Sequence, residues 1–222
     1  MSNTSAVVYF CMAGLSPKQE LNILSEGIYS RIVGIDEVGR GCWAGPVAVG
    51  AYIFTAQQPR LRGINDSKVV VLPQRHKLYQ RLSKHEYRVG YGSVEEIDTK
   101  GISRVIENLI ARFVEEFDDS QTLFLIDGQF RRSFGANSRK IIDGDALYYS
   151  IAAASILAKV ERDNLMIELS KQFPNYGLHK HKGYGTKEHQ RAIDQFGVCD
   201  LHRRSWEPIN LRLTPQLQFD IP

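Results

Sequence analysis

Apolar and polar positions along this chain alternate between two rhythms. Arg31–Ile35 and Val47–Phe54 are short apolar runs, the second rich in β-branched residues, and both read as strands. Glycine and proline punctuate the turn between them, which predicts a hairpin. Leu72–His85 has helical spacing, and Tyr87–Tyr91 reads as a third strand. Ser93-Val94-Glu95-Glu96 is a helix-cap signal, after which apolar residues recur at helical spacing from Ile102 to Phe117. Thr122–Ile126 is a compact apolar strand ending at Asp127-Gly128, and Lys140–Ile142 is a short one ending at Asp143-Gly144-Asp145. The longest predicted helix runs from Ser150 to about Phe173, and its Ala152-Ala153-Ala154-Ser155 face is small enough to lie close against a sheet. Thr186–Phe196 is a further helix, closed by Gly197. Before the first strand, Ser16-Pro17-Lys18-Gln19 carries a serine cap, a first-turn proline and a capping-box glutamine, and predicts a helix to about Ser25. Gln57–Lys68 is a polar loop, and after Trp206 the chain thins into a tail. Strands first, then alternation with helices, indicate an α/β layered domain with a mixed sheet.

Composition narrows the class. A chain of 222 residues can bury one good core, and 43% hydrophobic with 24% charged residues is ordinary for a soluble globular protein. The net charge of +3 creates no strong global field for nucleic acid, so local basic clusters carry more weight. Two stand out, His179-Lys180-His181-Lys182 and His202-Arg203-Arg204. Cys11, Cys42 and Cys199 are scattered and odd in number, which fits a reducing compartment without a disulfide framework. Residues 6–15 are apolar but lack a basic flank and a cleavage site, and they are too short to span a bilayer. The expectation is a short packed segment in a cytoplasmic protein with no membrane partner.

Candidate chemistry begins at Asp36-Glu37, which closes an apolar run and is followed by Val38-Gly39-Arg40-Gly41. Adjacent acids there are costly to bury without a compensating cation. Bare backbone at Gly39 and Gly41 permits close approach to something large, and Arg40 between them suits a phosphate. Acids recur at strand ends or helix starts at Asp127 and Asp145, and strand ends on one edge of a sheet can converge. Four carboxylates together would repel and raise one another's pKa values, and two divalent cations would neutralise them. Oxygen-only ligands favour Mg²⁺ or Mn²⁺ over zinc, and such a site suits in-line displacement at a phosphodiester. On a flat strand Asp36 and Glu37 point to opposite faces, so both ligate only if the strand twists or ends there.

Other positions read less sharply. Asp127-Gly128 alone is an ordinary turn acid, and Asp66-Ser67-Lys68 is an ordinary triplet in a polar loop. Lys159, among alanines and leucine on the long helix, has the position of a snorkelling surface residue. His179 and His181 lack nearby cysteines or a second placed pair, and read as solvated loop or phosphate contacts rather than metal ligands. Tyr184, between Gly183 and Gly185 and beside Lys182, either presents its ring to a base or sugar or anchors a buried loop.

Taken in order, these segments resemble the ribonuclease HII family, the type 2 ribonucleases H of bacteria, over roughly residues 31–207. The resemblance rests on Gly34-Ile35-Asp36-Glu37-Val38-Gly39-Arg40-Gly41 with Gly45-Pro46-Val47, on Asp66-Ser67-Lys68, Ile126-Asp127-Gly128 and Gly144-Asp145, on Ser150 through Asp163, and on His181-Lys182-Gly183-Tyr184 and His202-Arg203-Arg204-Ser205. It implies a ribonuclease H-like fold, a mixed five-stranded sheet flanked by helices with a helical C-terminal part. Residues 1–30 would form an N-terminal extension with a short helix, 31–207 the catalytic domain and 208–222 a tail. The implied activity is metal-dependent endonucleolytic hydrolysis of RNA in RNA–DNA hybrids, with cutting 5′ of single ribonucleotides embedded in duplex DNA. Products would carry 3′-hydroxyl and 5′-phosphate ends. By motif match Asp36, Glu37, Asp127 and Asp145 are the catalytic acids, holding two Mn²⁺ or Mg²⁺ ions. Gly39, Arg40 and Gly41 would read the 2′-hydroxyl and adjacent phosphate, Tyr184 would lie against the sugar at the junction, and Lys68 and Lys159 would be phosphate contacts or support the acids.

Several positions depart from the family pattern: Cys42-Trp43 in the turn, Asp143 with its added charge, Gly101 in place of a common asparagine, and Trp206 for phenylalanine. None removes a carboxylate. A non-catalytic hybrid-binding module would not need all four acids, and a phosphatase for small substrates would not need the Gly-Arg-Gly turn with dispersed basic residues. A monomer is expected. Gln216-Leu217-Gln218-Phe219-Asp220 loosely resembles sliding-clamp-binding peptides, a pattern frequent by chance.

Overall fold

β1 (Arg31–Val38) and β2 (Val47–Phe54) form the expected antiparallel hairpin, with Asp36 opposite Gly50. The structure is a computed structural model that describes residues 14–213. The apolar segment 6–15 falls almost wholly outside the described residues, and the Gln216–Asp220 segment lies entirely outside them. β1 runs past the apolar stretch because Asp36, Glu37 and Val38 keep pairing with β2, so the strand does not end at Ile35 as read. β2 takes β3 (Tyr87–Gly92) on its far edge, antiparallel. β1 takes β4 (Thr122–Asp127) in parallel, and β4 takes β5 (Ser138–Ile141) in parallel. The result is a mixed five-stranded sheet of order β3-β2-β1-β4-β5.

Strand alternation assigns the two faces. Val33 and Ile35 of β1 join Val49 and Ile53 of β2 in a core completed by Ile106, Leu109, Ile110 and Phe113 of one helix. That helix is α4 (Ile102–Phe117), preceded by α2 (Leu72–Leu82) and α3 (Val94–Lys100). The opposite face meets α6 (Tyr149–Gln172), whose Ala152, Ala153 and Ala154 are fully buried as the small-residue face required. Contact is close enough that a Cβ on Gly34 would fall 2.2 Å from the Ser150 carbonyl carbon. α1 (Lys18–Ser25) docks at the start of α6. A C-terminal layer holds α7 (Leu178–His181), α8 (Lys187–Phe196) and α9 (Glu207–Leu213). No helix among the described residues is long and apolar enough to cross a membrane.

Several expectations fail locally. Ser16 does not cap α1; Pro17 occupies the cap position without a side-chain bond. The first-turn Glu20 instead turns inward, fully buried, and accepts from the backbone N–H and hydroxyl of Ser150 at 2.9 and 3.2 Å. The capping box at Ser93 and Glu96 forms, but it starts the separate helix α3, which ends at Gly101. Gly101 has φ +80, a conformation L side chains rarely adopt, which gives this departure a structural reason. After Trp206 the chain is not a bare tail, because α9 packs through the buried Ile209. A single-turn α5 (Gly144–Leu147), a 3₁₀ turn at Pro174–Tyr176 and α7 are all too short for periodicity to mark.

Candidate active site

Three of the predicted acids come together. Asp36 stands on β1, Asp127 at the end of β4 and Asp145 in α5, and each offers an oxygen within 4.8 Å of the others. Parallel pairing of β1 with β4 brings the first two strands' ends to one edge. Asp127 Oδ1 then accepts the Gly144 N–H at 2.6 Å, which fixes the turn that carries Asp145. Asp143, two residues away, has φ +54 at the start of α5 and is exposed outside this group. Glu37 is outside it as well. Because β1 continues through Val38, Glu37 alternates to the other face, where it accepts from Arg40 at 3.3 Å. Arg40 also donates to the Ser103 hydroxyl at 3.0 Å, at the start of α4.

Electrostatically the group is short of cations. Asp36 is 6% exposed, and burial, then the charges of Glu37, Asp127 and Asp145, push its carboxyl well above the usual range, against a hydrogen bond to Ser155. Asp145, 8% exposed, is raised by burial and then by Asp66 and Asp127. Burial also raises Glu37, against the pull of Arg40. The nearest opposite charge is Lys68, whose ammonium lies 3.8 Å from Asp145 on a side chain 81% exposed. Asp36 and Asp145, held above the usual range by burial and by neighbouring acids, together with Asp127 offer oxygen donors only, which fit a hard divalent cation. The acidic group can therefore hold such an ion.

The remaining predicted residues surround it unequally. Lys159 pairs with Asp163 at 2.8 Å and lies 5.7 Å from the centre of the Tyr184 ring, so it is engaged rather than snorkelling. Tyr184 is 39% exposed, and burial pushes its hydroxyl up to about 12. Gly39 and Gly41 prove different. Gly39 has φ +88, and a Cβ there would meet Arg162 Nε at 2.2 Å, so packing demands it. Gly41 has no positive φ, and a Cβ there would meet nothing within 4 Å. The fold leaves Gly41 free.

The basic clusters are surface patches only in part: His179 and Lys180 are exposed, as solvated contacts are, but other members turn inward. His181 is buried, stacks on His189 at 4.3 Å and shares a 2.7 Å hydrogen bond with the Tyr176 carbonyl, so it is not a solvated contact. His202 and Arg203 are buried too, while Arg204 is exposed and pairs with Asp200 at 3.2 Å. Asp66, read from the sequence as part of an ordinary loop triplet, reaches Asp145 with its carboxyl, and Ser155, read only as part of a small-residue face, lies beside Asp36. Arg162 was missed despite a signal. Ala154, Ala158, Arg162 and Met166 follow one another at helical spacing, and all four are fully buried.

Comparison with known proteins agrees with this geometry. The sequence profile of the ribonuclease HII family matches residues 33–209. A ribonuclease HII from Paraburkholderia xenovorans is 42% identical over 180 residues, 80% of this chain and 73% of that protein. One from Staphylococcus epidermidis is 45% identical over 192 residues, 86% of this chain and 74% of that protein. Among solved structures, the RNase HII of the Archaeoglobus fulgidus PCNA:RNase HII complex aligns with a TM-score of 0.67 and 25% identity, covering 79% of this chain and 95% of that one.

Proposed function

The chain belongs to the ribonuclease HII family, and from that premise we propose that it cuts 5′ of single ribonucleotides embedded in duplex DNA as well as the RNA strand of RNA–DNA hybrids. As a member it is a ribonuclease H, an endoribonuclease that hydrolyses nucleic acid. The finer reading adds 3′-hydroxyl and 5′-phosphate products and a pair of Mn²⁺ or Mg²⁺ ions. The observation that carries it is the convergence of Asp36, Asp127 and Asp145 beside a loop with exposed backbone at Gly41.

When bound, divalent cations there supply charge neutralisation for the attacking and leaving oxygens of the phosphodiester. Asp36, Asp127 and Asp145 would hold them. Glu37, on the neighbouring face, is positioned to join only with a shift from its Arg40 contact. Arg40, half-exposed, and Lys68 offer cations to the phosphates on either side. Gly39, Arg40 and Gly41 present backbone to the 2′-hydroxyl, the group that marks a ribose. Tyr184, with Lys159 above its ring, packs on the next sugar. The relative solved with PCNA supports testing a sliding clamp as partner for the Gln216–Asp220 segment.

One assay decides the reading. With Mg²⁺ or Mn²⁺, a DNA duplex carrying one ribonucleotide should be cut on the 5′ side of that ribonucleotide. Cleavage of long hybrids alone would remove the single-ribonucleotide claim, and binding without cleavage would favour a hybrid-binding module.

A further inference from the structure

Arg203 is fully buried and forms no ion pair among the described residues. Its guanidinium is spent on carbonyls. Nη2 donates to Gly39 O at 2.8 Å, Nη1 to Arg40 O at 2.8 Å and Nε to Gly45 O at 3.0 Å. Burying an unpaired cation is expensive, and an apolar side chain of similar size would fill the space at less cost. What an apolar side chain lacks is a planar fork able to hold two successive carbonyls at once.

The consequence follows from peptide geometry. In a planar trans peptide the C=O and N–H point in opposite directions. The Gly39 carbonyl belongs to the peptide whose N–H is that of Arg40, and the Arg40 carbonyl to the peptide whose N–H is that of Gly41. Holding both carbonyls inward therefore turns both N–H groups outward. Neither has a hydrogen-bond partner among the described residues, and the space over Gly41 is open. Peptides flanked by glycine reorient easily; the Cys42 N–H also donates to the Gly39 carbonyl at 3.3 Å, whereas among the described residues the Arg40 carbonyl is held by Arg203 alone.

We infer that Arg203 is a positioning residue for ribose discrimination: it fixes two adjacent peptide planes so that the Arg40 and Gly41 N–H groups face the 2′-hydroxyl. The inference rests on the proposed recognition of a single ribonucleotide. Arg162 provides the matched comparison. It is equally buried and equally without a carboxylate, yet it donates to Pro46, Lys182 and Ala44 carbonyls, none within residues 39–41.

The test is binding in the presence of a chelator, with two duplexes that differ in one 2′-hydroxyl. Wild type should prefer the duplex with the ribonucleotide. Arg203→Lys should lower that preference about tenfold or to parity, the scale of a lost discriminating hydrogen bond, while affinity for the all-deoxy duplex stays within about twofold. Arg162→Lys should keep the preference. Arg203→Lys with wild-type preference overturns the inference. A wild type without preference overturns the ribonucleotide reading instead. If Arg203→Lys does not fold, amide exchange in the wild type decides. The Arg40 and Gly41 amides should exchange freely in the unbound protein and become protected by the ribonucleotide duplex alone; protection in the unbound protein overturns the inference.

Discussion

β1 and the loop that leaves it carry two charged regions built on opposite principles. At the end of the strand, carboxylates of Asp36, Asp127 and Asp145 gather with one exposed lysine nearby. A few residues on, two guanidiniums are buried without carboxylates, and the hydrogen bonds they make among the described residues go to neutral carbonyls. The first region is an incomplete set, raised in energy by burial and then by its own repulsion until a cation enters. In the second, every guanidinium nitrogen already has a carbonyl partner. A polar network whose members are satisfied rigidifies what it touches, whereas an uncompensated cluster is available to a ligand. The difference separates residues that act from residues that hold.

The largest effect should come from the incomplete region. Asp36→Asn or Asp127→Asn should reduce cleavage by about a hundredfold to a thousandfold, the scale for removing a main stabiliser of developing charge. Thermal stability without metal should stay level or rise. Each substitution removes repulsion, and in Asp127→Asn the new amide oxygen can still accept the Gly144 N–H. Single-turnover rates and melting curves on the same preparations check both halves. Near wild-type turnover in either variant would break the assignment of these acids.

Two glycines sharpen the contrast at smaller amplitude. Gly39→Ala puts a side chain at φ +88 against Arg162, and should cost about 2 kcal/mol of stability in urea denaturation. Gly41→Ala enters open space at an ordinary φ and should change stability by less than about 0.5 kcal/mol. Its cost should appear in cleavage instead, about tenfold, through lost approach to substrate. Equal destabilisation by both would mean that the loop has no free face.

How much of this was legible depended on whether a pattern is local. The sheet, α4 and α6 announced themselves through runs and spacing, and the acids through their place at the ends of those runs. Asp145 rather than Asp143 could be chosen only by family register, because two acids around a glycine look alike until a turn orients them. The burial of Arg203 is not legible locally, because a basic triplet resembles a solvated patch. Its burial depends on the carbonyls of Gly39, Arg40 and Gly45, far away in the chain. Glu37 was uncertain for a related reason. Strand continuation to Val38 depends on partners in β2, which no property of residues 31–38 declares.

The last distinction is in pH. Burial lowers Arg203 only to about 10, so this guanidinium stays charged at neutral pH and contributes no slope there. Asp36 and Asp145 behave otherwise. Their folded-state pKa values lie above the ordinary carboxylate value of 3.8, so the folded protein binds protons more readily than the unfolded chain. Their stabilising effect is thus present below that ordinary value and is lost as pH rises through the raised one. His189 and His202 run the opposite way. Burial lowers both to about 4 from 6.5, so their contribution is complete above 6.5 and is lost on acidification toward 4. A magnesium titration separates the two. At pH 8 His189 and His202 are neutral and the acids bind fewer protons than at pH 5, so Mg²⁺ should raise the melting temperature by about 2–4 °C, equivalent to roughly 1 kcal/mol. At pH 5 protons compete for the same carboxylates and the shift should shrink. Asp36→Asn should lose most of the pH 8 shift, and Arg162→Lys should keep it on a lower baseline. An equal Mg²⁺ shift at both pH values, or in Asp36→Asn, would place the ion elsewhere and dissolve the contrast between the two regions.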